Sequence, residues 1–170
     1  MINNRMNYYV LYCQTLKTEK VCLRLNKKEG IHAFIPRIEK YIRVIDTITL
    51  QVMFPGYLFI KTELSQKDFD SLLFLMNDEK DGIIKELKKT GVSALTNNEI
   101  DLLKRLLDDN AVLKMSEGYK ENGKTIITKG PLLSFQDDII DTDKRDMLAV
   151  LRVKFLNRNI KAGLLFKQNK

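Results

Sequence analysis

Val52-Met53-Phe54-Pro55-Gly56-Tyr57-Leu58-Phe59-Ile60-Lys61-Thr62 is the stretch from which the rest of the chain is read. Pro55 fixes φ near −65° and Gly56 is free to take φ > 0, so Phe54-Pro55-Gly56-Tyr57 reads as a type II turn. After it, Tyr57, Phe59 and Lys61 alternate with Leu58, Ile60 and Thr62, the period of a strand with strand-favouring residues on both faces. Such a strand is either central and covered on both sides, or it carries an exposed aromatic binding surface on one.

Upstream, Tyr8-Tyr9-Val10-Leu11-Tyr12-Cys13 reads as a second central strand. Thr18 is placed to cap a helix with Val21, Cys22 and Leu25 on one stripe and Gly30 at its end. Ile31 to Ile35 is a strand stopped by Pro36, and the residues from Arg37 to Val52 flank Ile45-Asp46 as a hairpin. Arg37, Lys40 and Arg43 give that hairpin basic edges, suited to nucleic acid or to guarding an edge against aggregation. Downstream, Ser65 caps a helix bearing Phe69, Leu72, Leu73 and Met76. Ile83 to Leu87 is a short strand, and Thr96-Asn97-Asn98-Glu99 is a capping box for a helix bearing Ile100, Leu103 and Leu107. This order predicts an α+β domain, a mainly antiparallel sheet flanked by helices.

Ala111 to Met115 is one further strand candidate. Residues 116–123 are polar with two glycines and read as a linker. Beyond them the short apolar runs Thr125 to Thr128, Asp138 to Ile140, Leu148 to Phe155 and Ile160 to Phe166 predict a small all-β barrel.

Of 170 residues, 44% are hydrophobic and 30% charged, as in a soluble globular protein. No apolar run approaches the roughly 20 residues of a membrane span, and the opening residues lack the apolar core of a signal peptide, so the expected compartment is the cytoplasm. Cys13 and Cys22 form no C-x-x-C pair and His32 is the single histidine, which leaves few parts for a metal site or a thiol nucleophile. Both cysteines read as small buried hydrophobes. With no glycine-rich phosphate loop and no catalytic constellation, neither an enzyme nor a cofactor is expected.

The net charge of +7 is uneven: residues 1–118 hold 18 basic and 16 acidic side chains, residues 119–170 hold 11 and 6. The excess makes the C-terminal part a candidate surface for phosphate, the alternative being a merely solvated face.

An α+β domain built on paired aromatics and F-P-G-Y-L-F, followed by a basic barrel containing Gly130-Pro131-Leu132-Leu133-Ser134-Phe135, resembles the NusG family of transcription elongation factors. The resemblance implies a NusG N-terminal domain at 7–115, a linker at 116–123 and a KOW domain at 124–170, in a monomer that rides on RNA polymerase. It implies that Tyr8, Tyr12, Phe54, Pro55, Tyr57 and Phe59 form the surface that grips the β′ clamp helices of the polymerase, with Leu58 and Ile60 supplying core on the other side. The basic tail looks more like the specialised LoaP-type antiterminators, which act at specific operons. For these the KOW domain is expected to bind a nascent RNA hairpin, here through Lys129, Lys144, Arg145, Arg152, Lys154 and Arg158. The alternatives are a general housekeeping elongation factor whose barrel meets a ribosomal protein, and a ribosome-associated RNA-binding protein. The resemblance departs at Asp137, where KOW motifs carry glycine. Aspartate tolerates the left-handed conformation better than most residues, so the barrel is expected to survive the change.

Overall fold

The computed structural model describes residues 5–89, 92–93 and 95–168. Residues 1–4, which begin the stretch read for a signal peptide, and 169–170, which end the expected barrel, lie outside these. The strands and helices are β1 (Asn7–Cys13), α1 (Thr18–Asn26), β2 (Ile31–Phe34), β3 (Arg37–Ile42), β4 (Thr47–Val52), β5 (Tyr57–Thr62), α2 (Gln66–Leu75), β6 (Ile83–Lys89), β7 (Val92–Ser93), α3 (Asn97–Leu106), β8 (Val112–Leu113), β9 (Ser116–Glu121), β10 (Lys124–Lys129), β11 (Ile139–Asp143), β12 (Leu148–Phe155) and β13 (Arg158–Phe166). They group into two compact units, Met1–Ile35 with Phe54–Thr96, and Pro36–Met53 with Asn97–Lys170.

The first unit is an antiparallel sheet in the order β2-β5-β1-β6-β7. Its register sets Tyr12 opposite Tyr57, Val10 opposite Phe59 and Phe34 opposite Phe59, so these residues share one face. The other face carries Tyr9, Leu11, Leu58 and Ile60 and is covered by the two helices. α1 contributes the fully buried Val21 and Leu25. From α2, the buried ring of Phe69 stacks on Tyr9 with centroids 4.3 Å apart. Ser65 caps α2 as its sequence predicts, its Oγ accepting from the Asp68 N–H at 3.2 Å.

The second unit holds two sheets. β4-β3-β8 is the antiparallel hairpin of β3 and β4 with β8 added in parallel, and β10-β9-β13-β12-β11 is a five-stranded half-barrel. Leu132, Phe135, Leu151, Phe155, Ile160 and Leu164 fill the half-barrel, while α3 buries Leu102, Leu103 and Leu106. Arg105 of α3 lies over the Phe135 ring, 4.3 Å from its centroid, and its Nη2 donates to the Ser134 carbonyl at 2.8 Å. Gly163 lets β13 approach β3: a Cβ there would stand 2.8 Å from the Glu39 carbonyl oxygen. The α+β part and the all-β part thus both form.

Residues 116–123 form no linker. They are β9, its turn and the seam of the half-barrel, with β10 antiparallel on one side and β13 parallel on the other. The small residues that suggested a loop are small because backbones meet there. A Cβ on Gly118 would lie 2.5 Å from the Ile126 carbonyl oxygen, and Ser116 is buried with its Oγ accepting from the Leu132 N–H at 3.0 Å. The charge break at residue 118 therefore falls inside a strand, and α3 with the β3–β4 hairpin joins the half-barrel's compact unit. The half-barrel forms with Asp137 in place, in the tight 3-10 turns of Pro131–Asp138 and at a φ that is not positive. The left-handed positions fall instead at residues such as Gly130, φ 100°.

Candidate functional site

The turn at Phe54-Pro55-Gly56-Tyr57 forms as its residue types demand. The Tyr57 N–H donates to the Phe54 carbonyl at 3.0 Å, and Gly56 takes φ +85°. Gly56 is held from the side as well. Its carbonyl accepts from the Cys13 N–H at 2.7 Å, and a Cβ there would lie 3.0 Å from the Cys13 carbonyl oxygen and 3.1 Å from the Tyr12 ring. The turn therefore fixes where Tyr12 and Tyr57 meet across β1 and β5, with ring centroids 5.3 Å apart and planes at 55°.

From this pair a file of rings crosses the sheet. Phe54 sits edge-on to Tyr57 at 6.5 Å and 6.1 Å from Phe59. Phe34 stacks on Phe59 at 5.7 Å, and His32 on Phe34 at 5.9 Å. α1 and α2 pack on the opposite side of the sheet, so the file belongs to the face that those helices leave. His32 and Phe34 were not singled out by sequence, because β2 and β5 are neighbours only in the folded sheet. The alternation of Ile31 and Ala33 with His32 and Phe34 was the available signal.

The expected surface set divides by burial. Tyr12 and Tyr57 are half-buried and Pro55 is exposed, whereas Tyr8, Phe54 and Phe59 are buried at 7%, 6% and 0% exposure. Phe34 and Phe54 both lie against the fully buried Phe59 ring. Its place in the Y-x-F-x-K alternation correctly gives its face but not its accessibility. The file is open at both ends: the half-buried Tyr12–Tyr57 pair beside Pro55 at one, and exposed His32 with half-buried Phe34 at the other.

The basic candidates also divide. Arg152 and Lys154 are exposed on the outward face of β12. The register, Val150 opposite Lys161 and Lys154 opposite Asn159, adds Lys161 of β13 to the same face. Sequence spacing does not single out Lys161, because its neighbour is set by the cross-strand register. Arg158 opens β13 at one end of this ribbon. Lys144 and Arg145 sit in the β11–β12 turn at the other end, but with Asp143 and Asp146, and the Asp143 carboxylate accepts from the N–H groups of Arg145 and Asp146 at 2.8 and 3.0 Å. The turn is thus close to neutral. Lys129 ends β10, three strands from β12 in the sheet order, or about 14 Å at the usual strand spacing.

Burial first, and then the neighbouring Cys22, push the Cys13 thiol up to about 11, so Cys13 holds its proton at neutral pH. No group of three or more His, Cys, Asp or Glu side chains suited to a metal is present among the described residues. No helix among them is long and apolar enough to cross a membrane.

One chain thus joins a sheet that carries an aromatic file on the face away from α1 and α2 to a half-barrel with a basic ribbon. The family model described as "Transcription termination factor nusG" matches residues 6–104, and the chain belongs to the NusG family. Among solved structures, one titled "Domain interaction in Thermotoga maritima NusG" is similar at 15% identity, with 95% of this chain and 94% of that chain covered and a TM-score of 0.54. That likeness concerns the fold. Comparison with curated proteins gives no match.

Proposed function

We propose that this chain is a specialised cytoplasmic transcription elongation factor. It docks on the β′ clamp helices of RNA polymerase and promotes processivity and antitermination at specific operons. The observation that carries the reading is the half-buried Tyr12–Tyr57 pair, set beside exposed Pro55 by the Phe54-Pro55-Gly56-Tyr57 turn on the face opposite α1 and α2. A few desolvated aromatic rings in an apolar setting hold most of the affinity when a helix docks on a surface. Phe54, Phe59 and Tyr8 act from beneath, by fixing the strands and rings that the clamp helices meet. A factor bound across the clamp favours the closed, moving polymerase over the opened, paused one by its difference in affinity for the two. The matched family description names termination, and terminator read-through measures the direction of the effect.

The half-barrel's role in this reading is to hold a nascent RNA hairpin against the ribbon of Arg152, Lys154, Arg158 and Lys161. Recognition there is of backbone and shape rather than of base edges. Lys129, Lys144 and Arg145 contribute less, given their distance or their aspartate neighbours.

Two experiments on the full chain test the proposal. Tyr12→Ser with Tyr57→Ser is expected to weaken binding to a β′ clamp-helix fragment by tenfold or more, about 1.4 kcal/mol, while the circular dichroism spectrum holds. Unchanged binding with unchanged function would favour a ribosome-associated RNA-binding protein. Arg152→Glu with Lys161→Glu is expected to abolish retention of a structured leader RNA and to flatten its salt dependence, with Lys144→Glu much milder. Preference for a ribosomal small-subunit protein over RNA would assign the chain as a general elongation factor.

A further inference from the structure

The five-stranded sheet of the second unit has β10 and β11 as its two outer strands, and a cleft of about 500 Å³ lies between them. Its lining includes Lys120, Lys124, Thr125, Gln136, Asp137 and Asp141. Thr125 and Ile127 of β10 each turn a peptide group toward Gln136, on the side away from β9. The Gln136 Oε1 accepts from the Ile127 N–H at 2.7 Å, and its Nε2 donates to the Thr125 carbonyl. One amide bonding the C=O of one residue and the N–H two residues on reproduces what a single residue of a parallel neighbouring strand does. The outer strand of the first sheet, β2, is treated in a similar way: the Asn26 carboxamide takes both the N–H and the C=O of Ala33, at 2.7 and 2.9 Å. There α1 lies alongside, which completes the covering of the edge. At β10 the side chain covers one bridge of a six-residue strand and the 3-10 turns of Pro131–Asp138 lie alongside, with a cleft left toward β11.

We infer that the cleft between β10 and β11 receives an extended segment of a partner protein, added as a strand where Gln136 now sits. An acidic side chain of that segment meets Lys120 and Lys124. Backbone chemistry argues for a polypeptide, since the edge already holds an amide in the pairing position and an extended peptide supplies one at every second residue. Charge argues the same way. The ammonium groups of Lys120 and Lys124 have no ion pair among the described residues and suit a single carboxylate, while Asp137 and Asp141 bring the lining close to neutral, unlike a surface for a phosphate chain. Ile140, 48% exposed, and half-buried Ile139 offer apolar contacts along the β11 side. The volume lies in the ordinary range of ligand clefts. This site shares no residue with the tyrosine pair or with the basic ribbon.

The test is amide hydrogen exchange on the full chain with a capped octapeptide that alternates threonine and valine and carries one glutamate. Slowing of exchange by tenfold or more at Thr125, Ile127 and Ile139 to Thr142, confined to those amides, is the expected result. The same peptide with lysine for glutamate is expected to bind roughly tenfold more weakly. Gln136→Ala, which frees the edge, is expected to bind the octapeptide more tightly. No protection at these amides, equal protection by a proline-rich octapeptide that cannot pair, or equal protection by an octamer of single-stranded RNA would each overturn the inference. So would weaker peptide binding by Gln136→Ala with the spectrum of the wild type.

Discussion

Gly56 shows how one residue without a side chain places two that matter. Its φ of +85° is costly for any other L-residue, and a Cβ would press on the Cys13 carbonyl oxygen and the Tyr12 ring. Gly56→Ala is therefore expected to cost about 1–3 kcal/mol, read as a lowered midpoint in urea. It should also weaken clamp-helix binding, because Tyr12 must move. Gly30→Ala, with φ +73° and nothing within 4 Å of its Cβ, carries only the backbone part of that penalty and leaves binding intact. The turn was legible in the sequence because proline and glycine each permit so little else. The burial of Phe59 was not, because it depends on Phe34, which sits 25 residues upstream.

At the level of elements, α2 and β6 meet through a polar knot. Gln66 Nε2 donates to Asp70 Oδ1 and to Glu86 Oε1, each at 2.9 Å, and Lys88 Nζ reaches Asp70 at 3.0 Å and Glu86 at 3.3 Å. Burial lifts the Glu86 carboxyl above its ordinary 4.5, against the pull of Gln66 and Lys88. Asp70 is also raised by burial, but hydrogen bonds from Lys88 and Gln66 outweigh it and hold its carboxyl below 3.8. For Glu86 the folded state binds the proton more tightly. Its contribution is fully present below about 4.5 and is lost as pH rises through the higher folded value. Asp70 works in the other sense, its contribution lasting down to its depressed folded value. Wild type should therefore gain stability relative to Glu86→Gln as pH falls from 7 toward 4.5, measured by urea unfolding across that range. Helices and strands were mostly legible because caps and apolar periods lie close together in sequence: Ser65 before α2, Gly30 after α1, Asp46 with φ 45° in the β3–β4 hairpin. β9 was misread because close backbone approach and loop formation both select small residues.

For the whole molecule, charge and composition suggested a cut at 116–123, and the packing denies it. β9 pairs with β10 on one side and β13 on the other, so a fragment that starts at residue 124 lacks the middle of its sheet. Expressed alone, 124–170 is expected to show no cooperative thermal transition, whereas the intact chain shows one; a cooperative melt of the short fragment would contradict the seam. The seam also sets a timetable. The first sheet has all its strands once Ser93 is made, but the last three residues of β13, Leu164 to Phe166, must reach Ser116 to Gly118 in parallel before the half-barrel exists. A ribosome must therefore deliver Phe166 clear of its exit tunnel before that half is in order, just as Arg37 and Ile38 of the β3–β4 hairpin wait for Val112 and Leu113. The piece that emerges early is the one that carries the tyrosines, and the piece that carries the basic ribbon waits for its own last strand.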